Sequence, residues 1–352
     1  MTYTLSEAEG DVFLIGGGAS NVGDEAILSG LLKDWRESGN KSIDSITLVA
    51  HEPERTIQVH KDEFPDDVPI RPFSPNVSDA LLALLEHDTF IVGGGGLFSS
   101  YMGELSKALP FYLRVATLLG KDVYWTAMGV YPSTPSIVMR GVVGCMAKSQ
   151  HISVRDPISL ETLQREGVED VTLVPDPATT LSPDTEWAEK EMRSIGLVEN
   201  DCTIGIAARR VKNERQNQRL QNAYQQAIEI LISQGYQIVL LPFGNHPYEE
   251  VEMDHRVCQR YCEEYDIPMI QTEKPQKMLG VVSQVDKVIS TRLHSMIFAY
   301  TVNTDFAAVE YAEKVTSLLD YYGKSENGIP LNEVTGDKML SKIGLSKIDQ
   351  YD

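Results

Sequence analysis

At 352 residues and 42% hydrophobic composition, the chain is long enough for two domains of ordinary size, each with its own core. Lys and Arg number 31 against 51 Asp and Glu, and the formal charge of −20 opposes general attraction to nucleic acid or to an anionic membrane, so any anion must be met by a local basic cluster. Four scattered cysteines (Cys145, Cys202, Cys258, Cys262) do not make a disulfide framework or complete a zinc set, no signal-like start or long apolar run appears, and the expected location is cytoplasmic.

In chain order, strand-like apolar runs at 12–15, 46–50, 90–92, 123–127, 152–154 and 171–174 alternate with helical patterns, which predicts a parallel sheet covered on both faces. The first strand runs into FLIGGGASNVGDEA (13–26), a strand, glycine turn and helix start that offers backbone N–H groups to an anion. It departs from the dinucleotide fingerprint, with Asn21 where a third glycine belongs, and lacks the Gly-Lys-Ser/Thr end of a P-loop, so NAD and ATP are disfavoured. Ile27, Leu28, Leu31, Leu32 and Trp35 recur at helical spacing until Gly39-Asn40 stops the helix.

The stretch 181–201 is charged, holds a short amphipathic helix and reads as a join. A second alternation follows, with strands at 203–207, 237–241, 269–270, 287–290 and 305–309 and a clear helix over 216–234. From Tyr322 the tail is polar, with weak helical character at 337–343, and is expected to cross back to the first domain. The fold class is therefore α/β: two Rossmann-like doubly wound domains over 1–182 and 202–352, a linker at 183–201, and an interdomain cleft at the carboxyl ends of the strands.

The strand ends carry the chemistry. Gly16 to Asp24, Gly93 to Gly96 and Arg155-Asp156 follow strands of the first half. Arg209-Arg210, Pro242 to His246, Thr291 to His294, and Glu310-Tyr311 with Lys314 follow strands of the second. In so acidic a chain, cations at carboxyl ends read as a focus for an anion. Each has a plainer alternative: glycine runs also mark tight turns, Arg155-Asp156 also reads as a local ion pair, and Arg209-Arg210 as solvated surface. His51, His60, His87 and His255 read as structural. His294 stands two residues after Arg292 at the start of the apolar helix LHSMIFAY, where helix polarity favours an anion.

Taken together, Gly18-x-x-Asn21-x-Gly23-Asp24-Glu25-Ala26, the glycine run with Leu97, Ser153-Val154-Arg155-Asp156 with Ser159, Asp176-Pro177-Ala178, Thr291-Arg292-Leu293-His294 leading to Phe298-Ala299, and Tyr311-x-x-Lys314 resemble the polysaccharide pyruvyl transferase family over residues 11–320. The resemblance implies a GT-B-like fold and transfer of pyruvate from phosphoenolpyruvate to sugar hydroxyls of a surface glycan or its lipid-linked precursor, giving a ketal. It implies catalytic roles for His294, Arg155 and Asp24, the last as base or as helix cap. Arg292, Arg209, Arg210 and Lys314 are expected on the donor, with Arg155 also as a ligand of the donor anion, and Asn21, Gly17, Gly18, Gly94 and Gly95 on the acceptor. No metal or cofactor is expected beyond phosphoenolpyruvate as co-substrate, nucleic acid is not a partner, and peripheral membrane association through the acceptor stays open. Two rivals remain: a nucleotide-sugar glycosyltransferase of the same architecture, with Glu310 on the donor ribose, and a non-catalytic glycan or anion receptor.

Overall fold

The computed structural model describes residues 3–17, 21–50, 52–73, 77–99, 104–197, 201–245 and 250–345. Gly18, His51 and His246 lie outside them. The chain divides into two compact units, residues 1–19 with 24–180 and residues 20–23 with 181–352.

In the first unit, seven parallel strands stand in the order β3-β2-β1-β4-β5-β6-β7: β1 (Gly10–Ile15), β2 (Ile43–Val49), β3 (Ile70–Phe73), β4 (Thr89–Phe98), β5 (Asp122–Val130), β6 (His151–Val154) and β7 (Thr172–Leu173). The helices are α1 (Val22–Ser38), α2 (Pro53–Val59), α3 (Val77–Glu86), α4 (Glu104–Leu118), α5 (Ser136–Met146) and α6 (Pro157–Arg165). The two-residue period of a strand sends Val12 and Leu14 of β1 into one core with Leu28, Leu31 and Trp35 of α1. Phe13 and Ile15 enter the opposite core with Phe90, Trp125 and the inner faces of α3, α4 and α5. Each such buried Leu or Phe contributes about 1.5–3 kcal/mol. Because the chain winds outward from β1 to β3 and then returns to β4, the topological switch point lies between β1 and β4.

Here the glycine run departs from expectation. Instead of a turn closing a short strand, residues 93–96 continue β4 to Phe98, since the long neighbour β5 supplies partners: Gly93 faces Thr126 and Gly95 faces Met128, before a bulge. Helix α1 lies against this stretch, and a Cβ on Gly94 would come within 2.2 Å of Ile27 Cγ2. Strand β3 was not anticipated from the sequence; IRPF has one proline and little alternation, the mark of an edge strand.

The second unit holds β8 (Thr203–Ala207), β9 (Gln237–Leu240), β10 (Lys287–Ser290), β11 (Asp305–Glu310) and β12 (Gly328–Pro330), parallel and ordered β12-β11-β10-β8-β9. Around them lie α7 (Thr185–Ser194), α8 (Glu214–Ser233), α9 (Asp254–Tyr265), α10 (Pro275–Gln284), α11 (Leu293–Thr301), α12 (Glu313–Tyr321) and α13 (Gly336–Lys342). Its switch point is between β8 and β10. Helix α8 begins where Asn213 accepts the Gln216 N–H and packs Leu220, Ala223, Ala227 and Leu231 on Ile204, Ile206 and Leu240.

Two strand details differ from the sequence reading. Met269 makes only an isolated bridge to Leu240, and β12 is an additional edge strand. The described part of the tail packs through α13 on α8 of the second unit: the Gly336 N–H donates to Gln226 Oε1 at 2.8 Å. Helix α7, in the segment read as a join, lies on α10, where the Asp184 carbonyl is 2.3 Å from the Cβ that a residue larger than Gly280 would carry. No helix among the described residues is long and apolar enough to cross a membrane.

Candidate functional site

In open α/β sheets ligands bind beyond the carboxyl ends of strands at the switch point. In the second unit that edge is built by Arg209 and Arg210 after β8 and by Thr291 to His294 after β10. Tyr224 of α8 joins the two: its hydroxyl donates to Thr291 Oγ1 and accepts from the Arg209 backbone N–H.

Arg292 and Arg209 are drawn together by acids that the sequence reading did not single out. Arg292 donates Nε and Nη2 to the two oxygens of Asp254, each at 2.6 Å, and its Nη1 to Glu252. Arg209 donates to the other oxygen of Glu252 at 3.0 Å and stacks 4.6 Å above the Tyr311 ring, with the Lys314 ammonium 5.6 Å from the same ring centre. The arginines expected as a free anion focus are therefore already bridged by carboxylates. The reason is electrostatic: two guanidinium groups buried to 6–7% exposure need partners. Gly244 allows the arrangement, because a Cβ there would meet Arg292 Nη2 at 2.5 Å.

The charges read out in the titration behaviour. Burial works against charge on Arg292, but Asp254 and Glu252 hold its pKa well above the ordinary value. Burial would raise the Glu252 carboxyl, yet Arg292 and Arg209 outweigh it and bring it down to about 2. Tyr311 is likewise pushed up by burial and pulled further down by Lys314, Arg209 and Arg292, ending below the ordinary phenol range. Arg210 turns elsewhere, pairing with Glu250 and, at 3.8 Å, with Glu214 beside a cavity of about 350 Å³ that Arg256 and Arg260 also line.

His294 is 7% exposed in the first turn of α11. Residues 20–23 group with this unit: the Val22 N–H donates to the Phe243 carbonyl, Asn21 bridges Gly244, and a Cβ on Gly23 would fall 1.9 Å from His294 Nδ1. Only glycine lets the imidazole lie there. Asn21 spends its Oδ1 on the Gly23 N–H, a helix cap, at 2.8 Å.

In the first unit, Arg155 is enclosed. At 1% exposure its Nη1 donates at 2.7 Å to Asp176, itself 0% exposed, and its Nε has no hydrogen-bond partner among the described residues. Asp176 in turn accepts the Ala178 N–H and fixes a turn whose Pro177 carbonyl sits 2.2 Å from where a Cβ on Gly30 of α1 would be. The adjacent Asp156 caps α6 through the Ser159 N–H and accepts the Tyr131 hydroxyl. Asp24 is half-buried in the first turn of α1. Gly17 lies against Leu28, 2.7 Å from a would-be Cβ, and Gly94 against Ile27; Gly95 has a φ of +88° and only Ile27 near it. Among the described residues, no group of three or more His, Cys, Asp or Glu is placed to hold a metal ion.

Chemically, the second-unit edge presents Arg209, Arg292 and Lys314 around the Glu252 and Asp254 carboxylates and the Tyr311 phenol, with a buried imidazole at the start of α11. The profile of the family described as polysaccharide pyruvyl transferase matches residues 21–313. The chain belongs to that family. No curated protein matches the sequence. Among solved structures, the UDP-GlcNAc 2-epimerase of Methanocaldococcus jannaschii is similar at 12% identity and a TM-score of 0.63, over 98% of this chain and 94% of that one. A UDP-N-acetylglucosamine 2-epimerase assigned in Listeria monocytogenes gives 10% and 0.63, over 95% and 87%. A glycosyltransferase from Rickettsia africae gives 10% and 0.54, over 95% and 96%. At such identities the likeness is one of fold, and the fold is GT-B-like. Family membership makes the protein a polysaccharide-modifying transferase acting on a glycan.

Glu252, Asp254 and Tyr224 escaped the sequence reading. Glu252 and Asp254 lie in the segment after β9, where buried guanidinium groups at neighbouring strand ends find their partners.

Proposed function

We propose that the protein transfers pyruvate from phosphoenolpyruvate to two hydroxyls of a sugar, forming a ketal and releasing phosphate. The observation that carries this reading is the array in which Arg209 and Arg292 converge on one carboxylate, Glu252, beside Lys314 and Tyr311. Guanidinium groups so placed fit a small donor bearing both carboxylate and phosphate.

In the proposed reaction a proton adds to C3 of the enol, C2 becomes electrophilic, and a sugar hydroxyl attacks it. Phosphate leaves as the second hydroxyl closes the ketal, so one hydroxyl proton balances that delivered to C3 and the other leaves with phosphate. His294 moves a proton or holds the phosphate; Arg292, Arg209 and Lys314 hold the donor. Asp24 and Asn21, with the backbone at Gly17, Gly18, Gly94 and Gly95, are assigned to the acceptor, and Arg155 to positioning through Asp176. Arg210, paired with Glu250, is the outermost donor candidate. The acceptor is a surface glycan or its lipid-linked precursor, and the setting is the cytoplasm.

Thermal shift separates this from a nucleotide-sugar enzyme. At about 100 times its dissociation constant, phosphoenolpyruvate adds about 2.7 kcal/mol to the native state and raises the melting temperature by several degrees. Stabilisation by a UDP- or GDP-sugar and none by phosphoenolpyruvate overturns the assignment.

A further inference from the structure

The cavity of about 350 Å³ beside Arg210 is walled by α8 and α9 of the second unit. That volume is at the lower end of small-molecule sites, which run from about 300 to 1,000 Å³. Arg256 and Arg260 stand one turn apart on α9, both exposed and both on the cavity wall. Like charges at that spacing disfavour a helix unless a counter-charge meets them.

The neighbouring acids do not supply it. Glu250 and Glu214 are held by Arg210, Glu252 and Asp254 by Arg209 and Arg292, Glu263 accepts from Gln259, and Glu264 hydrogen-bonds Tyr265. Among the described residues the Arg256 guanidinium has no hydrogen-bond or ion-pair partner, and Arg260 donates only to the neutral Gln221. The lining thus carries three guanidinium groups against two carboxylates, one net positive charge, with the excess on α9.

The rest of the wall is neutral and polar over a small apolar floor. Asn217, 4% exposed, spends its Oδ1 on the Val211 N–H at 3.2 Å, and its amide NH₂ has no partner among the described residues. Gln218 donates to Asn222 and keeps its Oε1 as an acceptor. Met253 and Val257 add buried apolar surface. Donors, acceptors and an apolar patch in one small cavity match a sugar ring, with hydroxyls on its edge and C–H groups on its face.

Gln221 separates this cavity from the donor arginines. Its Nε2 donates to the Arg209 carbonyl at 3.0 Å, while its Oε1 accepts from Arg260 at 3.0 Å and from the Tyr261 hydroxyl at 3.1 Å. Glu250 and Glu252 end one short turn, the first held by Arg210 and the second by Arg209 and Arg292. The two places are adjacent but use different side chains.

We propose that this cavity binds a sugar bearing one anionic group, with Arg256 and Arg260 on its carboxylate or phosphate and Asn217, Gln218 and Glu214 on its hydroxyls. On the pyruvyl-transfer reading such a site selects acceptor glycans that contain an acidic sugar; the binding itself does not rest on that reading.

Calorimetric titration of the full chain with glucuronate, glucose 1-phosphate and glucose, all without phosphoenolpyruvate, tests the proposal. At least one of the two anionic sugars binds the wild type with a dissociation constant of about 1 mM or tighter, about ten-fold or more better than glucose. A preference for glucuronate marks a uronic acid residue of a glycan as the source, and a preference for glucose 1-phosphate marks a free sugar phosphate. R256Q/R260Q weakens that binding by about ten-fold or more, whereas R209A, which alters the donor array, retains it. An unchanged melting temperature shows that R256Q/R260Q folds, as expected for exposed positions. Absence of binding by both anionic sugars at about 10 mM, binding that R256Q/R260Q retains, or a loss that R209A shares to the same extent overturns the proposal.

Discussion

Replacing Arg155 by alanine distinguishes a buried strut from a donor ligand. The guanidinium and its partner Asp176 are 1% and 0% exposed and 2.7 Å apart, so R155A leaves a carboxylate buried without its counter-charge. Breaking one side of such a pair costs about 3–5 kcal/mol. For a unit of this size that corresponds to a fall of roughly 10 °C in melting temperature. Part of the loss arises from the turn after Asp176, which supports α1 at Gly30. The assay is thermal and urea unfolding of wild type, R155A and R155M/D176N; removing both charges while keeping the side-chain oxygen that accepts the Ala178 N–H should restore most of the lost stability, because the cost comes from the orphaned carboxylate. An R155A protein that melts with the wild type and differs only in its requirement for phosphoenolpyruvate would refute this reasoning and return Arg155 to the donor site.

Three further outcomes follow from the geometry. H294A should fold normally and lose roughly 10²- to 10⁴-fold in turnover, measured as phosphate release; near-wild-type turnover removes His294 from the chemistry. E252Q takes away the charge that Arg209 and Arg292 share and should tighten phosphoenolpyruvate about five-fold, roughly 1 kcal/mol after solvent screening, in a calorimetric titration; weaker binding would mean that Glu252 is needed to place the arginines. His60, fully buried, is opposed by burial but held by Glu25 at 2.8 Å and by Glu63, which raise its pKa from 6.5 to about 9. Its contribution, about 3 kcal/mol, is therefore complete below pH 6.5 and lost as pH rises through 9; urea unfolding at pH 6 and pH 9.5 should show that loss in the wild type and not in H60Q.

Much of the fold was legible because parallel strands buried on both faces are continuous apolar runs, as at β1, β8 and β10. Edge strands were not: Ile70–Phe73 and Gly328–Pro330 are short, contain proline and carry no alternation. The glycine run misled for a different reason. Glycine permits a turn and close packing equally, and only the position of Ile27 on α1 decides for packing. At the site, Arg209, Arg292, His294 and Lys314 stood out as strand-end residues in an acidic chain, whereas Glu252 and Asp254 precede Arg292 by about forty residues with no periodic signal to join them. Arg155 shows the limit of a strand-end rule: β6 delivers it to the carboxyl edge, but the turn at Asp176 closes over it.

The central claim, that the cationic edge of the second unit receives phosphoenolpyruvate, is tested most directly by phosphate release from phosphoenolpyruvate across a panel of acceptor glycans, run in parallel with the R209A and H294A variants. The account predicts acceptor-dependent phosphate release by the wild type and its near-abolition in both variants. Release that needs a nucleotide sugar instead, or that both variants retain, would contradict it.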